Sequence, residues 1–122
     1  MRSTILALLL AASACDSGGG ATERKPAPPV GKSEQAARDE GVDVAVATGD
    51  LGARGWMTQE DGVIKVVADR SRGVLVGATV VSPAGGEIMS MLALAVHAEV
   101  PVSTLLRMHF AYPTYHRAIE TV

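Results

Sequence analysis

The side chains best suited to chemistry are concentrated between Met108 and Glu120, near the C-terminus. This segment, MHFAYPTYHRAIE, holds three of the four aromatic residues and two of the three histidines of the 122-residue chain. Imidazole transfers protons near neutral pH and binds metals, and a phenol donates hydrogen bonds. The segment is therefore the first place to look for an acid–base pair, a metal site or a binding contact.

The spacing of the histidines argues against a metal site. His109 and His116 lie seven positions apart with Pro113 between them, which is not the i, i+3 or i, i+4 spacing of a helical metal pair. His97 is predicted to lie at a helix surface or an interface. The chain has no GxSxG, HExxH or P-loop motif, and the glycine run Gly18–Gly20 does not follow a predicted strand. We expect no metal, nucleotide or nucleophile site of these kinds.

Tyr112 has the most distinctive setting of the aromatic residues because it directly precedes Pro113. Peptide bonds before proline adopt the cis form at appreciable frequency, so a fixed cis turn is expected here. In one interpretation this turn directs the Tyr112 ring at another group. In the other, which the spacing alone favours, the ring fills the base of the last helix.

Two short elements precede the main strands. Ser33 is predicted to cap a helix that has an acidic first turn and ends at Gly41. Alternating valines over Val42–Val46 predict a half-buried strand, and Gly49–Gly55 is predicted to be a loop.

Two runs rich in β-branched residues, Val63–Asp69 and Val74–Val81, predict a β-hairpin. Their connection contains Gly73, which can adopt a positive φ. Both strands are apolar on both faces over much of their length. The sheet is therefore expected to be covered on more than one side.

A helix of about fifteen residues should follow, with Ser82 as its cap, Pro83 at the first helical position and Glu87 near its positive end. Its apolar residues form a stripe that consists of Ile88, Met91, Leu92, Ala95 and Val96. Further apolar residues widen this surface, as a helix buried on two sides requires. One side would pack on the sheet, and the other would contact either a second subunit or the rest of a monomeric core.

Two shorter helices are expected after it. Pro101–Leu106 has the pattern of one, and Thr114 is placed to cap another that runs toward Val122.

The first 29 residues differ in composition from the rest and form two parts. Residues 1–15 resemble a secretory or lipoprotein leader, because Arg2 is followed by the apolar run Ile5–Ala12 and then by Cys15, which would be lipidated. Residues 16–29 are rich in glycine and proline and are expected to form a tether, with a globular domain at 30–122. The competing interpretation is a wrongly chosen start codon or a frameshift ahead of a truncated domain.

Composition limits the partners of the chain. The 11 basic and 13 acidic side chains give a formal net charge of -2, so no positive field favours nucleic acid. One cysteine cannot form an internal disulfide. Because aromatic residues make up only 3% of the chain, aliphatic side chains must fill a small core, and dependence on a second chain is expected.

Five stretches of the sequence occur together in a distinctive order: VGKSE at Val30–Glu34, GVIKVVAD at Gly62–Asp69, GVLVGATVV at Gly73–Val81, GGEI at Gly85–Ile88 and YPT at Tyr112–Thr114. In this order they resemble the C-terminal dimerisation domain of the pyridine nucleotide-disulfide oxidoreductases, the family of glutathione reductase, dihydrolipoyl dehydrogenase and mercuric reductase. The resemblance covers residues 30–122. It implies an α+β fold in which an antiparallel β-sheet carries helices packed on one side and the long helix lies across the axis of a homodimer.

The resemblance implies a dimerisation domain, in effect a fragment, of an FAD-dependent NAD(P)H disulfide oxidoreductase that pairs subunits and closes the partner's flavin and redox site. Complete members place an FAD domain, a CxxxxC pair and an NAD(P) domain ahead of this one. Because this sequence contains none of these, we expect the chain alone to bind neither FAD nor NAD(P) and to be inactive. The implied dimer interface consists of Ile88, Met91, Leu92, Ala95, Val96, Pro113 and Thr114.

The family usually has a histidine before the Pro-Thr pair, which acts as acid and base at the partner's flavin, and a glutamate three residues after the threonine that holds it. Tyr112 and Arg117 occupy these two positions here. A phenol has an ordinary pKa of about 10 and cannot replace imidazole near neutral pH, and arginine cannot accept the hydrogen bond that orients a base. The resemblance therefore leaves Tyr112 as a hydrogen-bond donor near the partner's redox centre, and leaves Thr114 to cap the last helix alone.

A second class of function remains open. The leader and tether also fit an exported lipoprotein that carries a small α+β binding module without redox activity and is anchored to a membrane through Cys15. The flavoenzyme resemblance favours the cytoplasm instead. Palmitate labelling that is lost in Cys15→Ser would identify the exported form.

Overall fold

The computed structural model describes residues 28–51, 61–82 and 84–122. Its elements are β1 (Val30–Gly31), α1 (Glu34–Asp39), β2 (Val44–Asp50), β3 (Val63–Asp69), β4 (Val74–Val81), α2 (Gly85–His97), α3 (Val102–Leu105) and a C-terminal 3-10 helix (Tyr115–Thr121). The predicted leader with Cys15, nearly all of the predicted tether and the predicted first helical residue Pro83 lie outside the described residues.

The four strands form one antiparallel sheet in the order β1-β4-β3-β2. The hairpin strands β3 and β4 have the predicted bounds, and Gly73 between them has a φ of +66°. Strand β2 runs further than predicted, because Gly49 and Asp50 pair with Ile64 and Val63 of β3. The predicted start of the loop at Gly49 was therefore wrong, since pairing with the neighbouring strand outweighs the low strand propensity of these residues.

The sheet is covered on both faces, as its apolar strands predicted. On one face, Ile64 and Val66 belong to the main core, which also includes buried residues of α2, α3 and the 3-10 helix. Because side chains alternate along a strand, Val67 points to the other face, where it packs with Ala37 of α1 and Val44. The α+β class with an antiparallel sheet is confirmed, and α1 is the helix that lies opposite the others.

Strands β1 and β4 are antiparallel neighbours whose backbones come very close at Gly31 and Gly77, a place that we call the β1–β4 crossing. Gly31 is paired with Gly77. A Cβ atom at Gly77 would lie 1.9 Å from the carbonyl oxygen of Lys32, and one at Gly31 would lie 2.2 Å from the carbonyl oxygen of Val76. Gly31 also has a φ of +68°. The crossing therefore requires glycine on both strands.

Helices α1 and α2 differ in how their N-termini are capped. Ser33 caps α1 as predicted, and its hydroxyl oxygen accepts a hydrogen bond from the Ala36 N–H at 3.1 Å. Helix α2 begins later than predicted, with Ala84 as its N-cap and no side-chain cap. The Ser82 hydroxyl accepts a hydrogen bond from the Ala84 N–H at 3.3 Å, so Ser82 stabilises the turn before the helix rather than capping it.

Candidate functional site

Most residues of the predicted interface stripe on helix α2 are buried in the core of the same chain. Ile88, Leu92 and Ala95 are 0%, 1% and 2% exposed and belong to the main core. Their side chains therefore face the sheet, and these three positions of the predicted interface contribute to the core of the single chain. Met91 and Val96 are only partly buried, so they keep surface that a partner can reach.

The opposite face of α2 is open to solvent. Leu94 is 66% exposed, the highest value among the large hydrophobic side chains of the described residues. Gly86 and Ser90 precede it at intervals of four on the same side of the helix, and both are exposed. The Ser90 hydroxyl donates to the Gly86 carbonyl at 2.8 Å, so its polar group is satisfied within the helix. We call Gly86, Ser90 and Leu94 the outer face of α2, a surface that another helix can approach closely.

Tyr112 projects outward from the C-terminal segment. Its side chain is 63% exposed, and the peptide bond to Pro113 is cis, as predicted. The interpretation in which this ring fills the base of the last helix is therefore wrong. Phe110, which is 6% exposed, belongs to the main core together with Ile119 of the 3-10 helix, and the partly buried Tyr115 packs against it.

Arg117 lies beside Tyr112. The Cζ atom of Arg117 is 5.6 Å from the centroid of the Tyr112 ring, within the range of a cation–π contact. The Nε atom of the same guanidinium is 3.4 Å from an Oε2 atom of Glu120. The two residues that the resemblance aligns with a histidine and a glutamate are thus in contact, through a ring and a cation instead of a hydrogen bond.

Thr114 does not cap the last helix. It holds the N-cap position of the 3-10 helix but makes no side-chain cap. Its hydroxyl donates to the Ala111 carbonyl at 2.7 Å, so it closes the turn that contains Tyr112 and Pro113. The prediction that Thr114 caps alone was wrong, because the hydroxyl satisfies a carbonyl of the preceding turn and not an N–H of the helix.

Among the described residues, the carboxyl groups of Asp69 and Glu34 have lowered pKa values, and both support the fold. Asp69 is 6% exposed and accepts a hydrogen bond from the Ser71 hydroxyl at 2.6 Å, which lowers the pKa of the Asp69 carboxyl. Lys65 and Arg38 bond to Glu34 at 2.8 and 3.0 Å and lower the pKa of its carboxyl. The first interaction fixes the hairpin turn, and the second holds α1 to β3. Neither interaction was predicted from the sequence, although an aspartate followed two residues later by serine is a turn signal.

Among the residues that the structure describes, no three His, Cys, Asp or Glu side chains are grouped so that they could hold a metal ion. In the same residues, no helix has the length and hydropathy needed to cross a membrane.

The comparisons with known proteins agree with this architecture. The family model described as "Pyridine nucleotide-disulphide oxidoreductase, dimerisation domain" matches residues 27–122. The chain belongs to this family. It is 33% identical over 88 residues to dihydrolipoyl dehydrogenase of Geobacillus stearothermophilus, and the aligned region covers 70% of this chain and 19% of that protein. It is 35% identical over 94 residues to dihydrolipoyl dehydrogenase of Mycobacterium tuberculosis strain H37Rv, and the aligned region covers 74% of this chain and 20% of that protein.

Solved structures give the same result. LpdA from Mycobacterium tuberculosis superposes with a TM-score of 0.73 at 27% identity, over 82% of this chain and 22% of that one. The Cu(II) complex of the HOCl-induced flavoprotein disulfide reductase RclA from Escherichia coli superposes with a TM-score of 0.71 at 25% identity, over 76% of this chain and 22% of that one. The predicted family and fold are confirmed. This dimerisation domain spans about a fifth of the length of the curated relatives that it matches.

Proposed function

We propose that this chain serves as the dimerisation domain of an FAD-dependent NAD(P)H disulfide reductase, and that it pairs with a second copy of itself through the outer face of α2. The observation that carries the proposal is the exposure of Leu94, which is 66% accessible on a helix whose other face is core. A dimer of two such helices would bury the Leu94 side chain of each copy. The reductase activity is proposed for a complete enzyme that includes this domain.

The energetics favour a contact between two copies of this helix. Fully burying a leucine side chain contributes about 1.5–3 kcal/mol, and a two-fold axis repeats every contact. Gly86 leaves open space around its Cα, since a Cβ there would meet nothing within 4 Å. Two outer faces can therefore approach closely, with the partly buried Met91 and Val96 beside them.

The C-terminal segment supplies the second half of the proposal. Tyr112 is 63% exposed, and in the proposed dimer it reaches the partner's redox site together with Pro113 and Thr114. There the phenol would donate a hydrogen bond instead of exchanging protons as imidazole does. FAD and NAD(P) would be held by domains that this sequence does not contain, and we propose the cytoplasm as the location.

The test compares the mass of the chain with the masses of two aspartate variants. We expect light scattering to give the mass of two chains for the unaltered protein. Leu94→Asp places a carboxylate in the proposed contact of each copy and should raise the dimer dissociation constant at least about 10-fold, which corresponds to about 1.4 kcal/mol.

The matched control is Leu106→Asp. Leu106 is also strongly exposed, at 57%, but it lies after α3 and outside the outer face of α2. This variant should retain the dimer. A monomeric unaltered chain, or a dimer that Leu106→Asp dissociates and Leu94→Asp does not, would contradict the proposal. A flavin that copurifies at one per chain would contradict the expectation that this domain alone binds no FAD.

A further inference from the structure

We propose that Arg117, held by Glu120, is the positioning residue of Tyr112 and keeps the phenol ring in its outward orientation. The role of that orientation toward a partner rests on the function proposed above. The pairing itself is a property of the single chain and can be measured without a partner.

The Tyr112 side chain is largely exposed to solvent. At 63% exposure, most of the ring surface has no protein packed against it, and an exposed side chain ordinarily exchanges rotamers within picoseconds to nanoseconds. The ring contact that the structure provides is the Arg117 guanidinium, with its Cζ atom 5.6 Å from the ring centroid. A cation over the ring face favours the orientation in which that face is covered.

Arg117 is supported by the helix that carries it. Residues i and i+3 of a 3-10 helix eclipse each other, and Arg117 and Glu120 have this spacing in the helix Tyr115–Thr121. Their side chains are 41% and 45% exposed, with 3.4 Å between Nε and Oε2. A planar guanidinium can present its face to a ring and its N–H edge to a carboxylate at once, which an ammonium group cannot do.

The chemistry of this pair limits what it can bind. The guanidinium only donates hydrogen bonds, and its charge is paired with the Glu120 carboxylate. The phenol hydroxyl beside it can donate one more. The Tyr112–Arg117 pair therefore fits a hydrogen-bond acceptor on the partner.

The experiment is solution NMR of the whole chain. In the unaltered protein we expect nuclear Overhauser contacts between the Arg117 side chain and the Tyr112 ring, and an upfield ring-current shift of the Arg117 methylene protons. Tyr112→Leu should abolish this shift. Arg107 is an exposed arginine outside the 3-10 helix, so its methylene protons give the unshifted reference.

Variants of Arg117 test whether it restrains the ring. Arg117→Gln should lower the order parameter of the Tyr112 ring to that of a free surface side chain, while the backbone amide spectrum away from the segment stays unchanged. Arg117→Lys should restore the order only in part, since it keeps the charge but not the planar face. Glu120→Gln should give a smaller loss than Arg117→Gln, and Arg107→Gln should give none.

The result that overturns the inference is an Arg117 side chain with reference shifts and no contacts to the ring in the unaltered protein, or a ring that is equally ordered in Arg117→Gln. Light scattering on the same samples separates this outcome from failure of the proposed function. A monomer with an ordered ring would refute the dimer alone, and a dimer with a free ring would refute the positioning role alone.

Discussion

The β1–β4 crossing and the turn at Tyr112 both belong to the stretches by which the family resemblance is recognised, yet their surroundings are opposite. At the crossing, Gly31 and Gly77 lie so close to the neighbouring backbone that a Cβ atom would come within 2.2 and 1.9 Å of a carbonyl oxygen. At the turn, the Tyr112 side chain is 63% exposed. The residues of the first region are explained by contacts within the chain. In the second region the Tyr112 ring has the Arg117 guanidinium beside it, and the function proposed above assigns the exposed surface of the ring to a partner.

This difference separates residues that stabilise the single domain from residues whose exposed surface is available to a partner. A change at the crossing should be measured as a loss of stability of the single chain. A change at the turn should leave stability nearly intact and appear in properties of the dimer.

Gly77→Ala should lower the free energy of unfolding by about 3 kcal/mol, the range that overpacking of a close contact produces. The added methyl group would meet the carbonyl oxygen of Lys32 at 1.9 Å, and backbone atoms on both strands would have to move. The measurement is the urea midpoint, with the slope of the transition unchanged.

The control for this variant is Gly73→Ala in the β3–β4 turn. Gly73 has a φ of +66°, but a Cβ there would meet nothing within 4 Å. Only the backbone strain remains, so we expect a loss of about 1 kcal/mol. Equal losses in the two variants would show that the crossing is not a steric requirement.

Acid should weaken the hairpin turn through Asp69. Because its carboxyl accepts hydrogen bonds from the Ser71 hydroxyl and from the Ser71 and Arg72 N–H groups, the pKa of Asp69 is lower in the folded chain than in the unfolded one. The resulting stabilisation is complete above the unfolded pKa of about 3.9 and is lost as the pH falls through the folded value.

Urea midpoints at pH 7 and pH 3 measure this effect. Asp69→Asn should reduce the difference between the two midpoints, since the amide oxygen still accepts hydrogen bonds but does not titrate in this range. Asp43→Asn is the control, because Asp43 is exposed and pairs with Arg70 only at 3.9 Å. An unchanged pH dependence in Asp69→Asn would remove Asp69 from the acid response.

Much of the fold followed from local pattern. Alternation and β-branching predicted the bounds of β3 and β4, and a serine followed by an acidic turn predicted the start of α1. The length of β2 was missed because its cause, the pairing of Gly49 and Asp50 with Ile64 and Val63 of β3, is distant in sequence. A Cβ at Gly49 would come within 2.4 Å of a Val122 methyl group, so this glycine within the strand makes room for the C-terminal residue.

The candidate site was harder to predict because periodicity shows which residues share a helix face but not what covers that face. The stripe on α2 was correctly recognised as one surface, and the structure uses its residues Ile88, Leu92 and Ala95 for the chain's own core. Likewise, no local pattern distinguishes a buried aromatic from an exposed one, which is why Tyr112 was placed against the last helix in the interpretation that the spacing favoured.

Tyr112→Ala should give the smallest effect on stability, no more than about 0.5 kcal/mol, as expected for an exposed side chain whose loss removes one cation–π contact. Phe110→Ala, two residues earlier, removes a ring that is 6% exposed and should lose about 3 kcal/mol or more. Thermal or urea unfolding of both variants decides the comparison within one short segment. If Tyr112→Ala lowers the free energy of unfolding as much as Phe110→Ala does, the Tyr112 ring is part of the folded core in solution. The division between residues that stabilise the domain and residues available to a partner then fails at Tyr112.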